Sequence, residues 1–179
     1  MSEDCVTEAE KGALTNFKIR YSHLRKFLLK TRVPENDTTQ EWYSYLAKLR
    51  EELGNFYNEL RLVAVIMAKE YLMAHFDIRQ CGSPASAPGA SRLDIDVKTR
   101  SGARIIGEVT TAKPYENNDF GAHQIETFRK EVDMLRHINS KYKYFFVTEA
   151  AAFEALKKSN YQSLFSGIQI VYLPSGISL

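Results

Sequence analysis

The stretch RLDIDVKT at residues 92–99, followed after a four-residue break by RIIGEVTT at residues 104–111, decides how this chain is read. Both halves alternate apolar and polar residues with the period of two expected of half-buried strands, and Arg100-Ser101-Gly102-Ala103 between them reads as a turn. The pair therefore predicts a β-hairpin. Successive strand side chains point to opposite faces. Asp94, Asp96 and Lys98 fall on one face of the first strand, and Leu93, Ile95 and Val97 on the other. On the second strand Arg104, Ile106, Glu108 and Thr110 lie together. The hairpin is thus expected to bring two aspartates and a glutamate to one side, with Ile106 and Val109 making the surroundings partly apolar.

Carboxylates held this close repel one another, and a hard divalent cation removes the penalty. Mg²⁺ takes one or two carboxylates and otherwise keeps waters and phosphate oxygens. Such an ion lowers the pKa of a bound water, polarises a phosphoryl oxygen and stabilises a departing oxyanion. Phosphodiester hydrolysis is the reaction this pattern suggests. Acids on a hairpin are more often its solvated face, so the elements around the hairpin matter.

Outward from the hairpin, Phe76–Cys81 reads as a short strand and residues 82–91 (GSPASAPGAS) as a loop. Beyond it, Lys113–Gly121 is a polar loop, and a helix follows with Ile125, Phe128, Val132 and Leu135 on one face. Tyr142–Thr148 (YKYFFVT) is an aromatic and β-branched strand, Thr148 is placed to cap a helix over Glu149–Lys158, and Ile168–Leu173 is a last strand. Before the hairpin, apolar residues from Trp42 to Met67 keep one helical seam, opened by a capping box of Thr38 with Glu41 and broken at Gly54-Asn55. Leu60–Met67 is apolar nearly all round and is expected to be buried. The order is α-β-β-β-α-β-α-β: an α/β fold with a mixed central sheet flanked by helices and an N-terminal helical extension. Residues 1–37 are read as a helical arm and 38–179 as the α/β domain, with helices over 38–74 and the core over 75–173.

In the arm, the first ten residues carry four acids and are expected to fray. A helix then runs from Lys11 to about Arg32, ended by Val33-Pro34. That segment holds seven Lys or Arg and no acid. Lys11, Lys18, Arg25 and Arg32 recur at seven-residue intervals, so they stay on one face, drifting only ~20° per heptad. The stripe extends ~31 Å at 1.5 Å per residue, and it suits salt-sensitive contacts with DNA phosphates.

The passage from Leu93-Asp94-Ile95 to Gly107-Glu108-Val109-Thr110 resembles the hairpin motif of the PD-(D/E)-x-K, or restriction-endonuclease-like, nuclease superfamily. The order of elements over residues 55–173 is similar to that family's core. The resemblance implies that Asp94 is the first metal-binding Asp, with Asp96 as the alternative register, and that Glu108 is the second acid. The implied metal set is Asp94, Glu108, Asp96 and Val109, holding Mg²⁺ with Mn²⁺ as a substitute. The helical glutamate of the family falls on Glu59. Leu93 stands where the family has Pro, although Pro84 and Pro88 lie in the preceding loop, and Thr110 stands where it has Lys. Lys98, on the same face as the aspartates, or Lys113 is the expected substitute for that charge; Thr110 can hydrogen-bond a water. Gln124, at the start of the following helix, is an auxiliary candidate.

The implied activity is Mg²⁺-dependent endonucleolytic cleavage of double-stranded DNA, in the style of a type II restriction enzyme working as a homodimer through its N-terminal helices. Two alternatives share the fold: a catalytically weak DNA-binding or regulatory subunit, and a structure-specific nuclease of repair or recombination. A further rival is an interaction protein that oligomerises through its helical seams. The two cysteines, 76 residues apart, and four scattered histidines do not suggest a zinc site. No apolar run reaches the ~20 residues of a membrane span, and the start Met1-Ser2-Glu3-Asp4-Cys5 lacks a signal pattern. A cytoplasmic protein without a nucleotide cofactor is expected.

Overall fold

The computed structural model describes residues 6–35, 38–81, 93–115 and 119–179. The expected loop over 82–91, with Pro84 and Pro88, lies outside the described residues. The described residues divide into two compact units, Thr7–Leu60 and Arg61–Leu179. The boundary falls inside a helix, so the break at residue 37 read from the sequence lies within the first unit.

In the first unit, helix α1 spans Glu8–Lys30 and α2 spans Thr39–Leu53. Each opens with a capping box: Thr7 with Glu10, and Thr38 with Glu41. The first box moves the start of α1 to Glu8, ahead of the expected Lys11, because reciprocal side-chain bonds satisfy amides that would otherwise be orphaned. The helix ends at Lys30 with Thr31 as its C-cap. Arg32 therefore lies beyond α1, and only Lys11, Lys18 and Arg25 of the expected stripe are helical. The two helices meet through aromatic rings, Phe27 of α1 against Tyr45 of α2 at 5.8 Å, and within α2 Trp42 stands edge-on to Tyr45 at 6.3 Å. Gly54 caps α2, and α3 begins at Phe56 and runs to His75.

In the second unit, α3 from Arg61 onward precedes β1 (Ile78–Cys81), β2 (Ile95–Thr99) and β3 (Arg104–Thr110). Then come α4 (Ala122–His137), β4 (Tyr142–Val147), α5 (Ala150–Leu156), α6 (Ser159–Gln162), β5 (Gln169–Tyr172) and β6 (Ile177–Ser178). Helix α6 and strand β6 add to the order read from the sequence. The six strands form one mixed sheet in sequence order. Strands β1, β2 and β3 are antiparallel, β3, β4 and β5 are parallel, and β6 is antiparallel to β5. The β2–β3 turn uses Gly102 at φ +84°, a conformation glycine adopts without steric cost.

Both faces of the central strands are covered, so β3, expected from its alternation to be half-buried, is buried from Ile105 to Thr110. On one face Ala64, Ala68 and Leu72 of α3 pack against Ile95, Val97, Ile105, Val109, Phe146 and Val171. On the other, Phe128, Val132 and Leu135 of α4 and Phe153 of α5 pack against Ile106, Phe145, Val147 and Ile170. Burying each such large side chain contributes ~1.5–3 kcal/mol. Of the Leu60–Met67 stretch expected to be buried, Ala64 and Ile66 are buried, whereas Leu60 is 36% exposed. Gly107 is enforced by close approach: a Cβ there would lie 3.0 Å from Phe146 Cε2 and 3.2 Å from the Tyr144 carbonyl oxygen. This tight β3–β4 contact fixes the backbone next to Glu108. The N-cap of α5 is Glu149, not Thr148, and the buried Thr148 Oγ1 has no hydrogen-bond partner.

Candidate active site

The register of the hairpin pairs Asp96 with Ile106 and Lys98 with Arg104. Asp94 sits immediately before β2, which begins at Ile95. Its Oδ2 accepts the backbone N–H of Val109 at 2.9 Å, which ties the start of one strand to the end of the next. The same oxygen accepts a hydrogen bond from Arg61 Nη2 of α3 at 2.7 Å. That guanidinium nitrogen also lies 3.7 Å from Glu108 Oε2. Asp94 and Glu108 thus face one cation from adjacent strands. Glu108 is only 2% exposed, and its Oε1 is buried with no hydrogen-bond partner.

A fourth charged group, absent from the sequence reading, comes from α4. Glu131 is half-buried, and its Oε2 is likewise buried without a partner. Burial pushes the Glu131 carboxyl up to about 7; Arg61 opposes that shift and Asp94 reinforces it. Burial pushes Glu108 further, to about 9, with the Asp94 charge, the Asp94 hydrogen bond and Glu131 adding to it and Arg61 opposing. Burial works against the Arg61 charge, but Asp94, Glu131 and Glu108 outweigh it and hold the guanidinium charged. Both carboxyls keep protons to unusually high pH because burial disfavours their charged forms by more than the Arg61 guanidinium favours them.

The remaining expected residues are distributed elsewhere. Asp96 is engaged by Arg104 in a two-pronged bond, Nε to Oδ1 at 2.9 Å and Nη2 to Oδ2 at 2.7 Å, which satisfies both carboxylate oxygens. Lys98 is exposed and four residues past Asp94, roughly 13 Å along extended chain, so it is not brought to the acid pair. Thr110 is buried, and its Oγ1 accepts the Ala112 N–H at 3.2 Å. Lys113 pairs with Glu149 at 3.6 Å. Gln124 fastens the helix start, accepting from the Gly121 N–H at 3.0 Å and donating to the Lys113 carbonyl at 2.8 Å. Val109 offers no side-chain ligand and meets Asp94 through its amide. Glu59 is buried within the helical unit, where it accepts from the Tyr21 hydroxyl at 2.6 Å and pairs with Arg20. On α1, Lys18 and Arg25 are exposed, Lys11 pairs with Glu8 at 3.0 Å, and Arg32 pairs with Glu35 at 3.0 Å.

Two functional candidates were missed. Glu131 carried a signal: it falls between Phe128, Val132 and Leu135 on the apolar stripe of α4, where an acid requires a partner. Arg61 stands two residues beyond Glu59, about 200° around the helix, and nothing in its spacing distinguishes it from other helical arginines.

As the side chains stand, among the described residues no three His, Cys, Asp or Glu are placed to hold a metal ion. The guanidinium of Arg61 lies against Asp94 and Glu108 instead. The donors are nonetheless hard oxygens, and two of them are buried and unpartnered, a combination that fits Mg²⁺ or Mn²⁺ better than softer metals. Among the described residues no helix is long and apolar enough to cross a membrane. No protein-family model, curated protein or solved structure matches the chain.

Proposed function

We propose that this chain is a divalent-cation-dependent nuclease that hydrolyses DNA phosphodiester bonds at the Asp94–Glu108 pair. The observation that carries the reading is the convergence of these two carboxylates, from neighbouring strands, on one guanidinium, with Glu108 Oε1 buried and unpartnered. The helix, three antiparallel strands, helix and parallel strand around the pair support a restriction-endonuclease-like core. Asp94 and Glu108 would hold Mg²⁺, with Mn²⁺ as a substitute. The ion, when bound, supplies Lewis-acid charge to the scissile phosphate.

The chain's own residues orient and shield. The Val109 amide fixes the Asp94 carboxylate, and the apolar neighbours Ile106 and Phe145 keep water from the inner side of Glu108. Lys18 and Arg25 on α1 give sequence-independent attraction for the DNA backbone. A restriction role, with two copies cutting the two strands, follows from the same reading. The test is cleavage of supercoiled plasmid with Mg²⁺: wild type nicks or linearises it and Asp94→Ala does not. An Asp94→Ala protein of full activity would discard this assignment.

A second reading is favoured by one specific observation. Arg61 already provides a cation to the pair, and Thr110 provides no charge where the nuclease motif has Lys. A DNA-binding or regulatory subunit built this way binds DNA without metal and leaves plasmid intact at any Mg²⁺ concentration.

A further inference from the structure

We infer that the end of the helical unit where α1 gives way to α2 is a self-association surface, covered by the same surface of a second copy of this chain. The inference stands apart from the chemistry of Asp94 and Glu108. It gives the homodimer expected from the N-terminal helices a place to form.

Neither α1 nor α2 has a buried residue. Helices in water gain most of their stability from an apolar face packed against a neighbour, and so small a unit has little interior of its own. Thirteen large apolar residues stand exposed among the described residues, and six of them lie between positions 28 and 46: Leu28, Leu29, Val33, Trp42, Tyr43 and Leu46. Their exposure runs from 37% at Trp42 to 76% at Leu29. These six belong to one end of the unit. Phe27, in the last turn of α1, meets Tyr45 of α2 at 5.8 Å, so the end of one helix lies beside the start of the other. Each of the six is within six residues of one of those two rings.

Area and charge favour a second copy as the occupant. At roughly 150–250 Å² for a large side chain, the exposed fractions of the six amount to about 500–800 Å² per chain. That reaches or passes the ~300–600 Å² of the largest apolar patch on a typical monomer, and it approaches the ~800 Å² that each partner of a standard dimer buries. A two-fold axis sets one patch against itself, so no second surface is needed. Thr7–Leu60 holds nine Lys or Arg against eight Asp or Glu, and two such units meet without net repulsion. Exposed bases, Lys26 and Lys30, and exposed acids, Glu35 and Glu41, border the six in sequence. A rim of both signs around an apolar centre is the usual anatomy of an interface.

The experiment is sedimentation velocity of the full chain over a range of micromolar concentrations, in low and in high salt. Wild type is expected to be a dimer in both, since apolar contact is not screened by salt. Tyr43→Glu combined with Leu46→Glu is expected to weaken dimerisation about a hundredfold or more, with helical circular dichroism kept, because both side chains are exposed. Should that variant not fold, Leu29→Glu, at the most exposed of the six, is expected to weaken dimerisation about tenfold. Ile177→Glu, exposed on β6, is expected to dimerise as wild type does. A wild type that stays monomeric at every concentration overturns the inference, whether another protein or the rest of this chain covers the patch. A dimer lost in high salt, one that a folded patch variant leaves within twofold of wild type, or one that Ile177→Glu weakens equally overturns the assignment to this surface. The readout does not involve the acid pair, so failure of the nuclease proposal leaves its result standing.

Discussion

Arg61 of α3 donates to Asp94 Oδ2 across 2.7 Å and so joins the long helix to the residue that opens the central hairpin strand. The link is structural as well as chemical, since it neutralises an acid that is only 14% exposed. Arg61→Met is expected to destabilise the metal-free protein by about 1 kcal/mol, a charged hydrogen bond discounted for the exposure of the arginine. Chemical denaturation checks this, and added Mg²⁺ should restore the loss.

Stability should fall as pH rises in metal-free protein. Glu108 keeps its proton in the folded chain up to about 9, against 4.5 for an ordinary glutamate. Unfolding thus releases a proton between these values, and the folded state loses ground as pH climbs through that window. The contribution is complete below about pH 4.5 and gone above about pH 9. Glu108→Gln removes the slope between about pH 7 and 9 and leaves the part Glu131 contributes below about 7, so it should melt several degrees above wild type near pH 8.5 and close to it near pH 5. Thermal melts across that range measure it.

Gly107→Ala should be costly because the new methyl meets a backbone carbonyl, the Tyr144 oxygen at 3.2 Å, as well as the Phe146 ring at 3.0 Å. The carbonyl belongs to the β3–β4 pairing and cannot turn away. A loss of about 1–3 kcal/mol is expected from this overpacking, visible as a lower urea midpoint with an unchanged slope.

The basic helix makes a prediction separable from catalysis. Lys18 and Arg25 are exposed on α1, so replacing both with Gln should reduce the dependence of log affinity on log salt by about 2. DNA binding measured over a series of salt concentrations shows it. Arg32, beyond the helix and paired with Glu35, should contribute less to that slope than the helical two.

Much of the fold was legible because it is written in short-range signals. The alternation in residues 92–111 located the hairpin, Thr38 with Glu41 located the start of α2, and Gly54 located its end. Thr7 with Glu10 carries the same capping signal, set among acids that by composition alone suggest a fraying end. The site was legible only where strand alternation determines it. Asp94 and Glu108 do face the same cation, but alternation alone could not say that Asp96, on the same face, would be captured by Arg104. Nor could it bring in Arg61, whose approach depends on how α3 covers the sheet, or foresee the burial of Glu131 Oε2 on α4. Glu59 shows the limit of matching by position: its partners are Tyr21, 38 residues away in sequence, and the adjacent Arg20, both on another helix.

The most direct measurement is anomalous diffraction from crystals of the full chain soaked in Mn²⁺. The account predicts a peak within coordination distance of the Asp94 and Glu108 carboxylates, with the Arg61 guanidinium moved off both. A Mn²⁺-saturated crystal with no peak there, and Arg61 still bonded to Asp94, would contradict it.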